Sequence, residues 1–291
     1  MPDAFSFESQ FRGAIRQRYR HEPVAIRRVL VLTDLAEGRA EAVRRSSQRF
    51  LAQSPALHAE ARWDLITAAD FPQLPALVDR VRTDQPDLIV ASRNLGEYPR
   101  FPRNSLGTTI DALTQVADVP VLLLPVRQDA DEGARELVDK LSGTPQVLVV
   151  TDHLTEDPQL IRWGAELTSA EGTLFLAHIE DQRVFERYMT LISKIPELDD
   201  DTARRTMSER LLKEASDFCA EAAQVLAGHR ASLRVEPTVA MGEPIAVLRD
   251  WLAEHQVDLL VADAKDPQTA AMSAFTHTLA VEFVDTPMLL L

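Results

Sequence analysis

The chain has 291 residues, 45% of them hydrophobic and 26% charged, a length for two domains and the composition of an ordinary globular protein. No run of about 18 apolar residues occurs, so no membrane span is expected. The net charge of −14 is uneven: residues 1–145 hold 19 Lys+Arg against 20 Asp+Glu, residues 146–291 hold 12 against 25, and so acidic a second half argues against nucleic acid or an anionic membrane as partner.

Residues 1–27 lack the long apolar core and small-residue cleavage site of a secretory signal. They are locally basic, with Arg12, Arg16, Arg18, Arg20 and Arg27, and are read as an N-terminal helical extension. Its basic face either is solvated or meets an anionic partner. Cys219 is the single cysteine, which excludes an internal disulfide and suits a reducing cytoplasm.

The first short apolar run is Arg28-Val-Leu-Val-Leu-Thr-Asp34, read as a parallel strand buried on both faces. A helical pattern covers 37–51 and stops at Gln53-Ser54-Pro55. A second strand is expected near 58–67, and a helix over 75–81 with Leu77, Val78 and Val81 on one face. Asp87-Leu-Ile-Val-Ala-Ser92 and Val119-Pro-Val-Leu-Leu-Leu124 are the next strands. A charged linker, 128–144, follows.

The series then starts again. Gln146-Val-Leu-Val-Val-Thr-Asp152 matches the first strand, Asp258-Leu-Leu-Val-Ala-Asp263 the second match, and Thr286-Pro-Met-Leu-Leu-Leu291 the third, in the same order. Two α/β domains, 28–127 and 145–291, are therefore expected, each a parallel sheet with helices on both sides. Asp34 to Asp87 spans 53 residues and Asp152 to Asp258 spans 106. The longer copy has room for extra strands at 173–179 and 233–239; the shorter has lost one edge strand–helix unit. An insertion, 181–210, carries an acidic run in its middle. Tyr188, Met189, Leu191 and Ile192 are expected on one face of a short helix there, either a surface helix or a lid.

These residues resemble the universal stress protein family in its tandem-domain form, over all but the first 27 residues. The marks are Thr33-Asp34 and Thr151-Asp152 ending a first strand, Gly242-Glu243-Pro244 before a helix, Asp87 and Asp258 opening an apolar strand, and Asp118-Val-Pro120 and Asp285-Thr-Pro287 before the last. The resemblance implies a doubly wound parallel sheet of strand order 3-2-1-4-5, with a ligand crevice where the order reverses, between strands 1 and 4. It also implies a stress-response role.

Nucleotide-binding members carry G-x2-G-x9-G-[ST] after strand 4, and an Asp ending strand 1. Glycines there let backbone N–H groups approach phosphate at a helix N-terminus. The first copy keeps a degenerate form: Asp34, Ser92 at the first glycine position, Gly96 one residue out of place, and Gly107-Thr108 two residues late. Arg93, Arg100 and Arg103 in this loop either clamp phosphate or are solvated. These residues make ATP the alternative ligand of the first domain. The second copy has lost the motif. Ala274 and Phe275 stand where Gly107 and Thr108 do, and Asp263 where Ser92 does. A different ligand there would use Asp152, Asp263 and His277, with His153 and His178 less securely placed. No metal is expected.

No nucleophile elbow, HExxH, Walker loop or GxGxxG occurs, so no enzyme activity is expected. Cys219 lies in a helical pattern, 211–226, and reads as a packing residue. The last strands, 119–124 and 286–291, would be bare apolar edges. Pairing them inside one chain gives a pseudo-dimer; a homodimer and an unidentified protein partner remain further expectations. The function this supports is a non-catalytic cytoplasmic binding or signalling protein, with the nucleotide-dependent sensor as alternative and nucleotide hydrolysis last.

Overall fold

The computed structural model describes residues 19–67, 69–70, 73–95, 105–125, 141–151, 158–194, 200–264 and 272–291. The described part of the first half contains β1 (Ile26–Leu32), α1 (Glu37–Leu51), β2 (Leu57–Ile66), α2 (Leu74–Asp84), β3 (Leu88–Ala91), α3 (Thr108–Val116) and β4 (Val121–Leu123). The second contains β5 (Gln146–Thr151), α4 (Pro158–Leu167), β6 (Thr173–Asp181), α5 (Gln182–Ile192), α6 (Asp200–His229), β7 (Arg234–Gly242), α7 (Pro244–His255), β8 (Leu259–Ala262), α8 (Ala274–Glu282) and β9 (Met288–Leu290).

All nine strands form one sheet, in the order β2-β1-β3-β4-β9-β8-β5-β6-β7. Every pairing is parallel except β4 with β9, where Val121 faces Leu290, Leu122 faces Leu289 and Leu123 faces Met288. From β7 to β9 the order is 3-2-1-4-5. From β2 to β4 it is 2-1-4-5, so the strand absent from the first half is the outer one. Its loss leaves the inner ladder paired.

Both sheet faces are buried, which explains the unbroken apolar runs. Val29, Val31, Leu88, Val90, Leu122, Val147, Val149 and Val261 pack on one face with Phe50 of α1, Leu160 and Ile161 of α4, and Phe218 and Cys219 of α6. Leu30, Leu32, Ile89, Leu123, Leu148, Leu260 and Leu290 pack on the other with Leu77 of α2, Ile110 of α3, Leu248 of α7 and Leu279 of α8. Helix α1 turns Ala40, Val43, Ser47 and Phe50 inward at helical spacing. The Ser47 hydroxyl satisfies itself on the Val43 carbonyl, 2.9 Å away, so a polar residue sits in the core at little cost.

Helices α2 and α7 are built alike. Each has proline in its first turn, at Pro75 and Pro244, and each ends on a left-handed glutamine, Gln85 at φ 44° and Gln256 at φ 48°. The left-handed residue turns the chain back into β3 or β8.

The halves also meet away from the seam. Glu166 of α4 takes the Ser54 hydroxyl (2.8 Å) and the Ala56 N–H (3.1 Å) on its carbonyl. Its carboxylate lies 2.9 Å from His21 Nε2, and the other ring nitrogen lies 3.1 Å from the Tyr19 hydroxyl. Arg162 pairs with Glu22 at 3.1 Å. Burial pushes the Tyr19 phenol well above its usual range. Residues 19–25 are thus held against α4 without helical structure, unlike the helical extension expected from the sequence; residues 1–18 lie outside the described ones.

The expected insertion divides differently from its sequence reading. Helix α5 leaves β6 directly, and α6 runs 30 residues into the core-packed stretch around Cys219. Residues Tyr188, Met189, Leu191 and Ile192 do not share one packed face: Phe185 and Met189 are buried, while Tyr188 and Leu191 face solvent.

Candidate functional site

In the first half, β1 and β3 run side by side with Leu32 opposite Ala91. Continuing that register brings Thr33 beside Ser92 and Asp34 beside Arg93. The Ser92 N–H reaches the Leu32 carbonyl at 3.4 Å. The ends of the following loop are drawn together. Asn94, at φ 51°, donates its N–H to the Leu106 carbonyl at 2.9 Å, and the Ser105 hydroxyl donates to Asn94 Oδ1 at 2.7 Å. Gly107 then enters α3 at φ 85°, a conformation that favours glycine, with no side-chain cap on the helix. Asp34, Ser92 and Gly107 therefore stand at one end of the sheet. Thr108 is exposed on the first turn of α3, and Gly96 lies outside the described residues, as do Arg100 and Arg103.

Two buried groups there lack full satisfaction. Ser92 is 1% exposed and its hydroxyl has no partner among the described residues. Arg93 is 4% exposed and extends into the other half, donating from Nη1 to the Ala280 carbonyl of α8 at 2.5 Å. Its Nε and Nη2 have no partner among the described residues. Burial pushes the guanidinium down to about 10, against the opposing pull of the Asp285 charge. The arginine is neither solvated nor directed only at its own loop; it serves a carbonyl near the end of a helix, where positive charge is favoured.

In the second half the N-terminus of α8 is engaged by neighbouring residues. The pairing of Val149 with Val261, continued, sets Thr151 beside Asp263. The Asp263 carbonyl accepts the Thr276 hydroxyl. Ser273 caps α8, its Oγ accepting the Thr276 N–H at 3.0 Å, and its own N–H goes to the Ala264 carbonyl at 3.1 Å. The Ala264 N–H in turn goes to the Leu291 carbonyl at 2.8 Å. His277 donates its backbone N–H to the Ser273 carbonyl, and its ring is exposed. Asp152 and His153 lie outside the described residues. His178 is buried in β6 with Nε2 2.8 Å from Glu180, its Nδ1 without a partner among the described residues. No group of three His, Cys, Asp or Glu able to hold a metal occurs among the described residues.

The sequence reading missed Ser273 and Arg93 in these roles. A serine immediately before an apolar helical run is a readable cap signal. The contact of Arg93 with Ala280 crosses 187 residues and leaves no local trace. Cys219 is fully buried, 3.9 Å from the Leu176 carbonyl, and burial pushes its thiol up to about 12, which keeps it protonated and unreactive.

Neither a protein-family model nor a curated protein matches the sequence. Two solved structures share the architecture along nearly the whole chain. One, a functionally unknown protein of Pseudomonas aeruginosa, is 14% identical at a TM-score of 0.52, with 92% of each chain covered. The other, also from P. aeruginosa and assigned to the universal stress proteins, is 13% identical at a TM-score of 0.51, covering 92% of this chain and 93% of that one. The fold is that of the universal stress proteins. At such identity the likeness is one of fold. Within the universal stress protein fold, the strand ends just described lie at the switch point between strands 1 and 4.

Among the described residues no helix is long and apolar enough to cross a membrane.

Proposed function

We propose that the chain is a tandem universal stress protein that works in the cytoplasm as a non-catalytic stress-response binding and signalling protein. Its halves form a pseudo-dimer through β4 and β9, and the matched build of α2 and α7 supports their common origin. The observation that carries the non-catalytic reading is the side-chain cap at the start of α8 in the second half. Ser273 and the Asp263 carbonyl already engage the Thr276 N–H and hydroxyl, at the helix end where an anion would have to bind. ATP with Mg²⁺ is expected to leave the melting temperature unchanged and to release no phosphate. Native mass spectrometry of the purified protein reads bound ligand and subunit number together, and a copurified nucleotide would reverse the reading.

One observation favours a second reading, a sensor of ATP or another small ligand in the first half. There α3 begins on Gly107 without a side-chain cap, and the Ser92 hydroxyl nearby is buried and without a partner among the described residues. Asp34, Ser92, Gly96, Gly107 and Thr108 would contact the ligand. A thermal shift with ATP-Mg²⁺ that Gly107→Trp abolishes would establish it. Phosphate release that falls on Asp34→Ala would instead indicate hydrolysis.

A further inference from the structure

Among the described residues four large hydrophobic side chains are exposed, and three lie on α5: Val184 at 36%, Tyr188 at 50% and Leu191 at 56%. Their spacing of four and then three residues places them in one row along the helix, about 10 Å long. Phe185 and Met189 hold an adjoining side in the fold. The helix is also fixed along its N-terminal half. Asp181 caps it, accepting the N–H groups of Arg183 (2.7 Å) and Val184 (3.3 Å), Arg183 pairs with Glu243 at 2.9 Å, and Glu186 pairs with Arg204 of α6 at 2.5 Å. The apolar row is therefore a preformed ridge rather than a loop awaiting order.

One flank of the row is basic. Arg183, paired with Glu243, and Arg187 lie along it on the helix and Lys194 just past the helix end, all exposed, with the Arg187 guanidinium 6.0 Å from the Tyr188 ring. The other flank descends into the packed side. A basic border on a half that carries an excess of acidic residues is a local charge reversal.

We infer that this face of α5 docks an acidic amphipathic helix of a partner protein, with leucine-type side chains on Val184, Tyr188 and Leu191 and carboxylates along Arg187 and Lys194. The inference rests on reading the chain as a partner-binding protein and names the class of partner. A second copy fits worse. Two-fold pairing of antiparallel helices sets each flank against its own mate, so Arg187 and Lys194 would face Arg187 and Lys194. A membrane fits worse too. A short helix aligned on the basic flank meets Arg187 and Lys194 first, at a Debye length of about 8 Å, whereas an extended anionic surface meets the acidity of the whole half.

The test uses the full chain and a fluorescein-labelled helical peptide of about 15 residues, with Leu at i, i+3, i+4 and i+7 and Glu along one flank. Fluorescence anisotropy should give a dissociation constant of about 10–100 μM, the range of small transient contacts. Tyr188→Asp and Leu191→Asp should each weaken it at least about tenfold. Arg187→Glu with Lys194→Glu should lose the Glu-flanked peptide and gain a Lys-flanked one. That swap cannot come from misfolding, and circular dichroism verifies the helix content of each variant. Absence of peptide binding, or binding that ignores Tyr188→Asp, overturns the proposal. So does a dimer that Tyr188→Asp dissociates, or Tyr188-dependent binding to vesicles of phosphatidylglycerol and phosphatidylcholine in place of the peptide. The ATP-Mg²⁺ titration tests the parent reading separately: with no nucleotide bound, a failed peptide titration removes the docking face alone.

Discussion

Asp258 and Gln146 exchange two hydrogen bonds at the start of neighbouring strands: the Gln146 N–H donates to Asp258 Oδ2 and the Asp258 N–H donates to the Gln146 carbonyl, each at 2.8 Å. Asp87 and Arg28 do the same in the first half, again at 2.8 Å both ways. The aspartate opening each Asp-Leu-Ile/Leu-Val run is thus a strand clamp, at the opposite end of the sheet from the candidate sites.

Burial holds the Asp258 carboxyl above its usual range, partly offset by the Gln146 N–H. A raised folded pKa means the ionised group opposes folding. That penalty is absent below the unfolded pKa of about 3.9 and sets in fully as pH rises through the folded value. Asp258→Asn keeps an acceptor for Gln146 and removes the charge. Urea denaturation at pH 7 should show a gain of about 0.5 kcal/mol, small because the carboxyl is partly solvated. The gain should vanish as pH falls to about 4.

Gly164 lies where α4 crosses β5. A Cβ there would overlap Val149 Cγ2 and stand 3.1 Å from Leu174 Cδ1, both on stiffly held strands. Gly164→Ala is expected to destabilise by about 1–3 kcal/mol in spite of alanine's better helix propensity. A urea midpoint equal to or above that of the parent would show that the helix can lift away freely.

The chain from Tyr19 through His21 to Glu166 predicts a penalty for breaking its middle. His21→Ala leaves the Tyr19 hydroxyl and a Glu166 oxygen buried without these partners, which should cost about 1–3 kcal/mol. Loss of this tie should also speed proteolysis near residues 19–25, read by mass spectrometry of the fragments.

Arg93→Met removes a buried cation. Methionine fills similar space and removes two unmet donors, while the Ala280 carbonyl loses one bond. Stability is expected to stay within about 1 kcal/mol or to rise. A loss above about 2 kcal/mol by urea denaturation would mean that the charge at the end of α8 outweighs its desolvation.

Much of this was legible in the sequence because buried parallel strands announce themselves as short apolar runs. Helix 37–51 agrees with α1, and the strand expected at 58–67 is β2 at Leu57–Ile66. The strand expected at 233–239 begins one residue later and continues to Gly242 because β7 follows its neighbour β6 to the end. Asp34 and Ser92 were placeable because a strand end is a local feature. Arg93, the Glu166 tie and the outward turn of Tyr188 were not, since each depends on what a distant segment covers or leaves bare. Val184, four residues before Tyr188, carried the missing signal of an outward row.

The antiparallel seam of Leu122 and Leu289 has a further consequence. An interface between separate chains dissolves on dilution, but β4 and β9 are tethered, so their encounter is unimolecular and independent of protein abundance. The nine-stranded sheet then terminates in β2, with Glu60 and Arg62 pointing to solvent or its margin, and in β7, with Pro237 among its residues, borders poorly suited to recruiting another strand.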